Sequence, residues 1–268
     1  MANNAPIGVF DSGIGGLTVV KEIMSLMPGE SIVYFGDTAR TPYGSRSPAE
    51  IVEFMHQILR FLKVQNIKIA VMACNTMTAC GLEIAQKQYP FPVVGVNTGV
   101  HTALRISKNK NIGVIATQAT IAGGKHGKAV KDADSGAVIY PQACPKFVPL
   151  IEQEHIEGAL IEDAALEYLT PIRDAGVETL ILGCTHYPYI SPLIRRIMGK
   201  DVDLVDPARD TVLDAYNILA KADMLADNKA GTIRLCFSAD LERVRRLAKV
   251  ILGEPLPDIE LVNLQDFT

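Results

Sequence analysis

Short apolar runs alternate along the chain with longer stretches whose apolar residues recur at helical spacing. Ile7-Gly8-Val9-Phe10 is the first run, and it breaks at Asp11-Ser12-Gly13-Ile14-Gly15-Gly16. A helical pattern follows from Leu17 to Met27 and stops at Pro28-Gly29. Ser31-Ile32-Val33-Tyr34-Phe35 predicts the next strand, ending at Gly36-Asp37. After a loop rich in Thr, Pro and Gly, a helix is predicted from Ala49 to Gln65, with Ile51, Met55, Ile58, Leu59 and Leu62 on one face. Lys68-Ile69-Ala70-Val71-Met72-Ala73 is almost continuously apolar, the mark of a strand buried on both faces. It ends at Cys74-Asn75-Thr76, ahead of a helical stretch to Gln88 and a strand at Val93-Val94-Gly95-Val96. Alternation of this kind predicts an α/β fold with a parallel sheet.

The second half repeats the first. Ile112-Gly113-Val114-Ile115 matches Ile7-Gly8-Val9-Phe10 at an offset of 105 residues. Thr179-Leu180-Ile181-Leu182-Gly183-Cys184-Thr185 mirrors Ile69-Ala70-Val71-Met72-Ala73-Cys74-Asn75 at an offset of 110. In each copy an apolar run gives way to a small residue, a Cys and a polar residue. Two α/β halves of similar topology are expected. The tail adds a helix from Arg209 to Leu225, a strand from Ile233 to Phe237 and a helix from Leu241 to Leu252. It is too short for a third domain and must pack on one half, which the pattern leaves open.

Composition narrows the function. Among 268 residues, 48% are hydrophobic and 21% charged, enough for a packed core and incompatible with wholesale disorder. Lys plus Arg number 26 against 30 Asp plus Glu, and Trp is absent. A nucleic-acid partner is therefore not expected. No apolar run reaches the ~18 residues of a membrane span. The start, Met1-Ala2-Asn3-Asn4-Ala5-Pro6, lacks the basic and apolar regions of a secretory signal, so a cytoplasmic protein is expected.

Five cysteines, Cys74, Cys80, Cys144, Cys184 and Cys236, are widely spaced and form no CxxC. Neither a disulfide framework nor a structural zinc site is indicated. A free Cys is ordinarily a small buried hydrophobe. Cys74 and Cys184 differ, because each ends a strand, where open α/β sheets bind their ligands. A helix N-terminus beyond such a strand offers N–H groups and a dipole that favour thiolate and carboxylate. Two halves facing each other would place the thiols on opposite sides of one cleft. A proton could then leave one face of a carbon and return to the other. Gly13-Ile14-Gly15-Gly16 is neither a dinucleotide fingerprint nor a P-loop. No HExxH or calcium-loop pattern is present, so no metal is expected. His56 is read as a surface or core filler. His155 falls in a stretch read as an acidic helical start, Glu152-Gln153-Glu154-His155. His186 stands two residues from Cys184 and could tune that thiol or relay its proton.

Four segments together carry a resemblance. They are Phe10-Asp11-Ser12-Gly13-Ile14-Gly15-Gly16-Leu17-Thr18-Val19, Asp37-Thr38-Ala39-Arg40-Thr41-Pro42-Tyr43-Gly44, Ala73-Cys74-Asn75-Thr76 and Leu182-Gly183-Cys184-Thr185-His186-Tyr187-Pro188. In order and spacing they resemble the signatures of the bacterial glutamate racemases, within the aspartate/glutamate racemase family. The Asp-Ser-Gly and Pro-Tyr-Gly motifs separate that group from the aspartate and hydantoin racemases. The resemblance implies an α/β fold of two pseudo-symmetric, doubly wound parallel-sheet domains with the active site in the cleft between them. The first would be discontinuous, residues 1–97 with 207–268, and the second would span 98–206. It implies a cofactor-independent isomerase, a homodimer, that interconverts L-glutamate and D-glutamate and supplies D-glutamate for peptidoglycan.

The resemblance also implies roles. Cys74 would take the α-proton from D-glutamate and Cys184 from L-glutamate, with Asp11, His186 and Glu152 as auxiliary groups. Asp11, Ser12, Tyr43, Gly44, Asn75, Thr76, Thr117, Thr185 and His186 would hold the substrate. Pro207 and Tyr189 depart from the family pattern, away from the acid/base motifs. The extension found in forms activated by a cell-wall precursor is not seen ahead of Ile7, so that regulation is not expected. Pyridoxal chemistry would need a Schiff-base Lys, and no strand-end Lys stands out. Two other readings share the pattern. A two-lobed amino-acid binder would not need two strand-end thiols. A thiol hydrolase could use Cys184 with His186 but would leave Cys74 idle. Within the racemases, an aspartate enzyme is the alternative to a glutamate one.

Overall fold

A computed structural model describes residues 2–267; Met1 and Thr268, the outer ends of the expected first domain, lie outside it. The chain divides into two compact units. One runs through Asn97 and resumes at Ala208; the other spans Thr98–Pro207. Pro207 therefore lies with the second unit, whereas the sequence reading starts the return segment there.

The first unit holds six parallel strands: β1 (Ile7–Asp11), β2 (Ile32–Gly36), β3 (Ile69–Met72), β4 (Val93–Gly95), and, from the returning segment, β9 (Ile233–Phe237) and β10 (Asp258–Leu261). Their order is β10-β9-β2-β1-β3-β4. The second unit has β5 (Asn111–Ala116), β6 (Val138–Ala143), β7 (Thr179–Gly183) and β8 (Asp203–Val205), all parallel, in the order β6-β5-β7-β8. The first four strands of each unit thus follow one scheme: second, first, third, fourth. β3 and β7 hold the same place in it. In both sheets the order reverses at the first strand, the switch point where open α/β sheets form ligand crevices.

The tail joins the first unit, because β9 pairs with β2 in register from Ile32 with Ile233 to Gly36 with Phe237. All five residues of β1, β2 and β7 are buried, as their apolar runs require. Phe10, Phe35, Phe61, Met72 and Cys74 share the core of the first unit with Met55, Leu59 and Leu62 from the helix Pro48–Val64. That helix opens on a capping box, in which Ser47 Oγ accepts from the Glu50 N–H and Glu50 accepts from the Ser47 N–H. In the second unit Val100, Ala103, Ile112, Val114, Val130, Ile181 and Val205 form a core cluster.

One buried ion pair ties the first unit together. Lys68 Nζ lies 2.5 Å from Glu30 and also donates to the carbonyls of Asn3 and Met224. Glu30 in turn accepts from the Ala226 N–H at 2.8 Å. The chain start, the approaches to β2 and β3, and the returning segment meet at this pair. Removing one partner would strand a buried charge, at a cost of about 3–5 kcal/mol.

Glu152 ends the helix Phe147–Glu152, and the next helix begins only at Ala159. The stretch from Glu152 to His155 is therefore a helix end and turn rather than a helical start. Glu154 takes a positive φ there, which a continuing helix would not allow. No helix among the described residues is long and apolar enough to cross a membrane.

Candidate functional site

Each unit gathers polar side chains beyond the carboxyl ends of its strands, and the two groups are built differently. In the first unit β1 ends at Asp11, which is fully buried. The Gly13 N–H donates to Asp11 Oδ1 at 2.8 Å and closes the Asp11-Ser12-Gly13 turn. Gly16 lets the following helix, Leu17–Leu26, start against the sheet. A Cβ on it would lie 2.8 Å from Asp11 Cβ and 3.0 Å from Ala73 Cβ.

Two residues past β3, Cys74 caps the helix Asn75–Gln88, and its Sγ accepts from the Met77 N–H at 3.5 Å. The helix-terminus environment expected for this thiol is present. Its S–H reaches Ser12 Oγ at 3.7 Å, so the Asp-Ser-Gly turn and the Cys meet directly. Asn75 and Thr76, in the first turn of that helix, are buried. Asn75 Nδ2 is a buried donor without a hydrogen-bond partner.

Tyr43 is buried and donates its hydroxyl to Asp37 Oδ2. Burial, and then the Asp37 carboxylate, hold that phenol well above its ordinary range, so it remains a donor. Arg40 Nε reaches the same carboxylate oxygen at 2.5 Å, and Ser238 Oγ donates to the other at 2.9 Å. Gly44 follows Tyr43 in the loop and is partly exposed. Ser238 is absent from the sequence-derived set. The available signal was its position directly after strand β9, in a tail whose docking the pattern left open.

In the second unit, Cys184 follows β7 directly, and Thr185 and His186 come next. No long helix starts here; a single turn of 3-10 helix, Tyr187–Ile190, follows. The helix-terminus setting expected for both thiols therefore does not hold for Cys184. What it has is an imidazole: His186 Nδ1 lies 3.9 Å from Cys184 Sγ. His186 Nε2 lies 2.7 Å from Glu152 Oε1, with both side chains almost fully buried. Burial alone would lower the His186 pKa. Hydrogen bonding to Cys184 and Glu152, together with their charges, outweighs it and holds the imidazole well above its ordinary value. Thr117 caps the helix Gln118–Ala122, its Oγ1 accepting from the Thr120 N–H at 3.4 Å.

The remaining cysteines are packing residues. Burial pushes the Cys144 and Cys236 thiols far up, and Cys80 packs partly buried against the first core. His56 stacks on Tyr89, with burial lowering its pKa. Among the described residues, no group of three or more His, Cys, Asp or Glu is placed to hold a metal ion.

The model of a protein family described as Asp/Glu/Hydantoin racemase matches residues 7–215. The chain belongs to that family. It is 40% identical to a glutamate racemase of Gloeothece citriformis, over 97% of this chain and 93% of the relative. The crystal structure of a glutamate racemase isoform from Bacillus anthracis is similar at a TM-score of 0.91 and 35% identity, covering 98% of both chains. A glutamate racemase of Francisella tularensis, solved in complex with D-glutamate, gives a TM-score of 0.88 at 37% identity, covering 98% of this chain and 99% of that one. The racemase groups with the glutamate racemases and is an isomerase. An aspartate racemase of Picrophilus torridus shares the fold at a TM-score of 0.53 and 18% identity.

Proposed function

We propose that this racemase interconverts L-glutamate and D-glutamate with two cysteines as acid and base, and provides D-glutamate for peptidoglycan. One observation carries the reading. The equivalent strand of each unit, β3 and β7, runs out into a buried cysteine. Racemisation needs a proton removed from one face of Cα and another delivered to the opposite face. One thiol per unit supplies a base for each face, and neither is accounted for by packing alone.

Cys74 takes the α-proton from D-glutamate while the Cys184 thiol protonates the other face; in reverse the two exchange roles. Each turnover starts from one thiolate and one thiol, so activity follows a bell-shaped pH profile that belongs to the pair. The two sulfurs are served by different devices. Cys74 has the Met77 N–H, a helix N-terminus and Ser12. Cys184 has His186, a charged donor held in place by Glu152.

The α-proton is weakly acidic, so donors to the α-carboxylate must carry much of the carbanion's stabilisation. Asn75 Nδ2, buried and without a hydrogen-bond partner, is a donor available for a carboxylate. Ser12, Tyr43, Gly44 and Thr76 from the first unit, with Thr117, Thr185 and His186 from the second, complete the proposed substrate set, and Asp11 is an auxiliary group. A hydrolase built on Cys184, His186 and Glu152 would give Cys74 no work and would show an acyl-enzyme burst. The test is optical rotation of L-glutamate incubated with the purified protein and no added cofactor. Rotation decaying to zero supports the reading, and constant rotation overturns it.

A further inference from the structure

Tyr34 has no part in the roles above. It lies in β2, fully buried, and donates its hydroxyl to the Gly13 carbonyl at 2.7 Å. Gly13 is thereby held at both ends, since its N–H is already bound to Asp11 Oδ1 at 2.8 Å. A glycine here would otherwise be the most mobile link of the turn. The carbonyl reaches this place only because Gly36 has no side chain; a Cβ there would lie 2.3 Å from the Gly13 oxygen. The Tyr34 ring is braced in turn. It packs against Phe237 with centroids 5.4 Å apart, and a Cβ on Gly16 would lie 2.9 Å from its Cε2. Packing alone would be met by Phe, whereas a buried phenol hydroxyl has to be given an acceptor.

We propose that Tyr34 is a positioning residue of the racemase, acting through Gly13 to hold Asp11 and Ser12 in place beside Cys74. The proposal rests on the two-cysteine reading. Fixing both ends of Gly13 steadies the turn that holds Ser12 Oγ where it accepts from the Cys74 S–H, 3.7 Å away. Tyr34 touches no reacting atom itself. Its hydroxyl sets the shape of the half-site that serves Cys74 and leaves the Cys184 half-site alone.

The test compares wild type with Tyr34→Phe, which deletes one oxygen. A small misplacement of a reacting group costs up to about a hundredfold in rate. Tyr34→Phe is expected to lower kcat about tenfold to a hundredfold, with KM changed by less than about threefold. The loss should be one-sided. The primary isotope effect with 2-deuterated D-glutamate rises, because proton removal by Cys74 becomes more limiting, and that with 2-deuterated L-glutamate falls. Amide hydrogen exchange at Gly13 should quicken about tenfold in the variant, a readout that needs no turnover.

Ile58→Val, in the core of the helix Pro48–Val64, serves as a control for a small loss of stability. Should Tyr34→Phe fail to fold, Phe237→Leu keeps the hydroxyl but removes its brace, and should show the same one-sided isotope pattern more weakly. The proposal is overturned by unchanged Gly13 exchange, by kcat within about twofold of wild type, or by equal changes in both isotope effects. An equal loss in Ile58→Val at matched melting temperature overturns it as well. A wild type inactive on glutamate would end the two-cysteine reading, and Gly13 exchange would still decide whether Tyr34 holds the turn.

Discussion

Glu152→Gln separates charge from shape at the Cys184 half-site. The substitution keeps the size of the side chain and an oxygen that accepts the His186 Nε2–H, and removes only the carboxylate charge. The pair is 2.7 Å apart, and its side chains are 2% and 4% exposed. At an effective dielectric near 20, charges at that spacing attract by about 6 kcal/mol, and desolvating both ions offsets several kcal/mol of it. Stripping one partner from a buried pair costs about 3–5 kcal/mol. With the Gln oxygen still accepting and His186 free to lose its proton, we expect about 2–3 kcal/mol. A unit of about 110 residues has an unfolding entropy near 0.23 kcal/mol/K, so the melting temperature should fall by roughly 9–13 °C.

The pH dependence fixes the sign. The folded-state pKa of His186 is raised above its ordinary value of 6.5. The stability this contributes is complete below the unfolded value and is lost as pH rises through the folded one. The gap between wild type and Glu152→Gln should therefore be widest below the ordinary histidine value of 6.5 and narrow as pH rises above it through the raised folded-state value. Scanning calorimetry across that range measures the gap, and nitrogen-15 NMR of the imidazole follows His186 itself. In the variant the His186 titration should move down. An unchanged titration, or a gap that does not vary with pH, would refute the account of the pair.

Three further outcomes follow from the same chemistry. Cys74→Ala and Cys184→Ala should each lower racemisation by at least about a hundredfold with the circular dichroism spectrum preserved, general acid–base groups being worth ~10²–10⁴; substantial turnover by either variant would sink the two-thiol mechanism. In deuterated water the product should gain deuterium at Cα faster than the residual substrate does, and a product that keeps its original hydrogen would point to one base moving one proton between faces. Aspartate and glutamine should show kcat/KM at least about a hundredfold below that of glutamate, because a site built for the side-chain carboxylate leaves donors unpaired when that group is displaced or neutral. Equal values for aspartate would refute the glutamate assignment.

What could be read from the sequence follows burial. β1, β3 and β7 stand out because strands covered on both faces are continuous apolar runs, and the cysteines that follow β3 and β7 stand out for the same reason. The strands that escaped, β6, β8 and β10, all lie at sheet edges. β6 contains Pro141 and has no fully buried residue, and β8 is only three residues long. An edge strand needs neither two apolar faces nor a full set of N–H donors. The long helix Ala159–Asp174 was missed as well, and it contains Pro171 near its end. At the candidate site, the strand-end pattern pointed to Cys184 and His186, and the family resemblance added Glu152. Neither could show that an imidazole replaces a helix terminus beside Cys184, because Glu152 arrives from a helix 34 positions away in sequence. Ser238 was out of reach because its partner Asp37 lies 201 positions earlier.

The order of the first sheet has a consequence for how the molecule is made. β2 lies in the interior of that sheet, yet the strand that covers its outer side, β9, is not synthesised until Ile233–Phe237. The second unit, Thr98–Pro207, is continuous and emerges whole in the meantime. The part of the protein begun first on the ribosome is thus the part finished last. Until β9 arrives, the nascent chain carries β2 with a row of unpaired backbone groups, the template on which other chains aggregate. Ribosomes stalled before Ile233 would release chains with a complete second unit and an open first sheet, so chaperone demand should centre on β2.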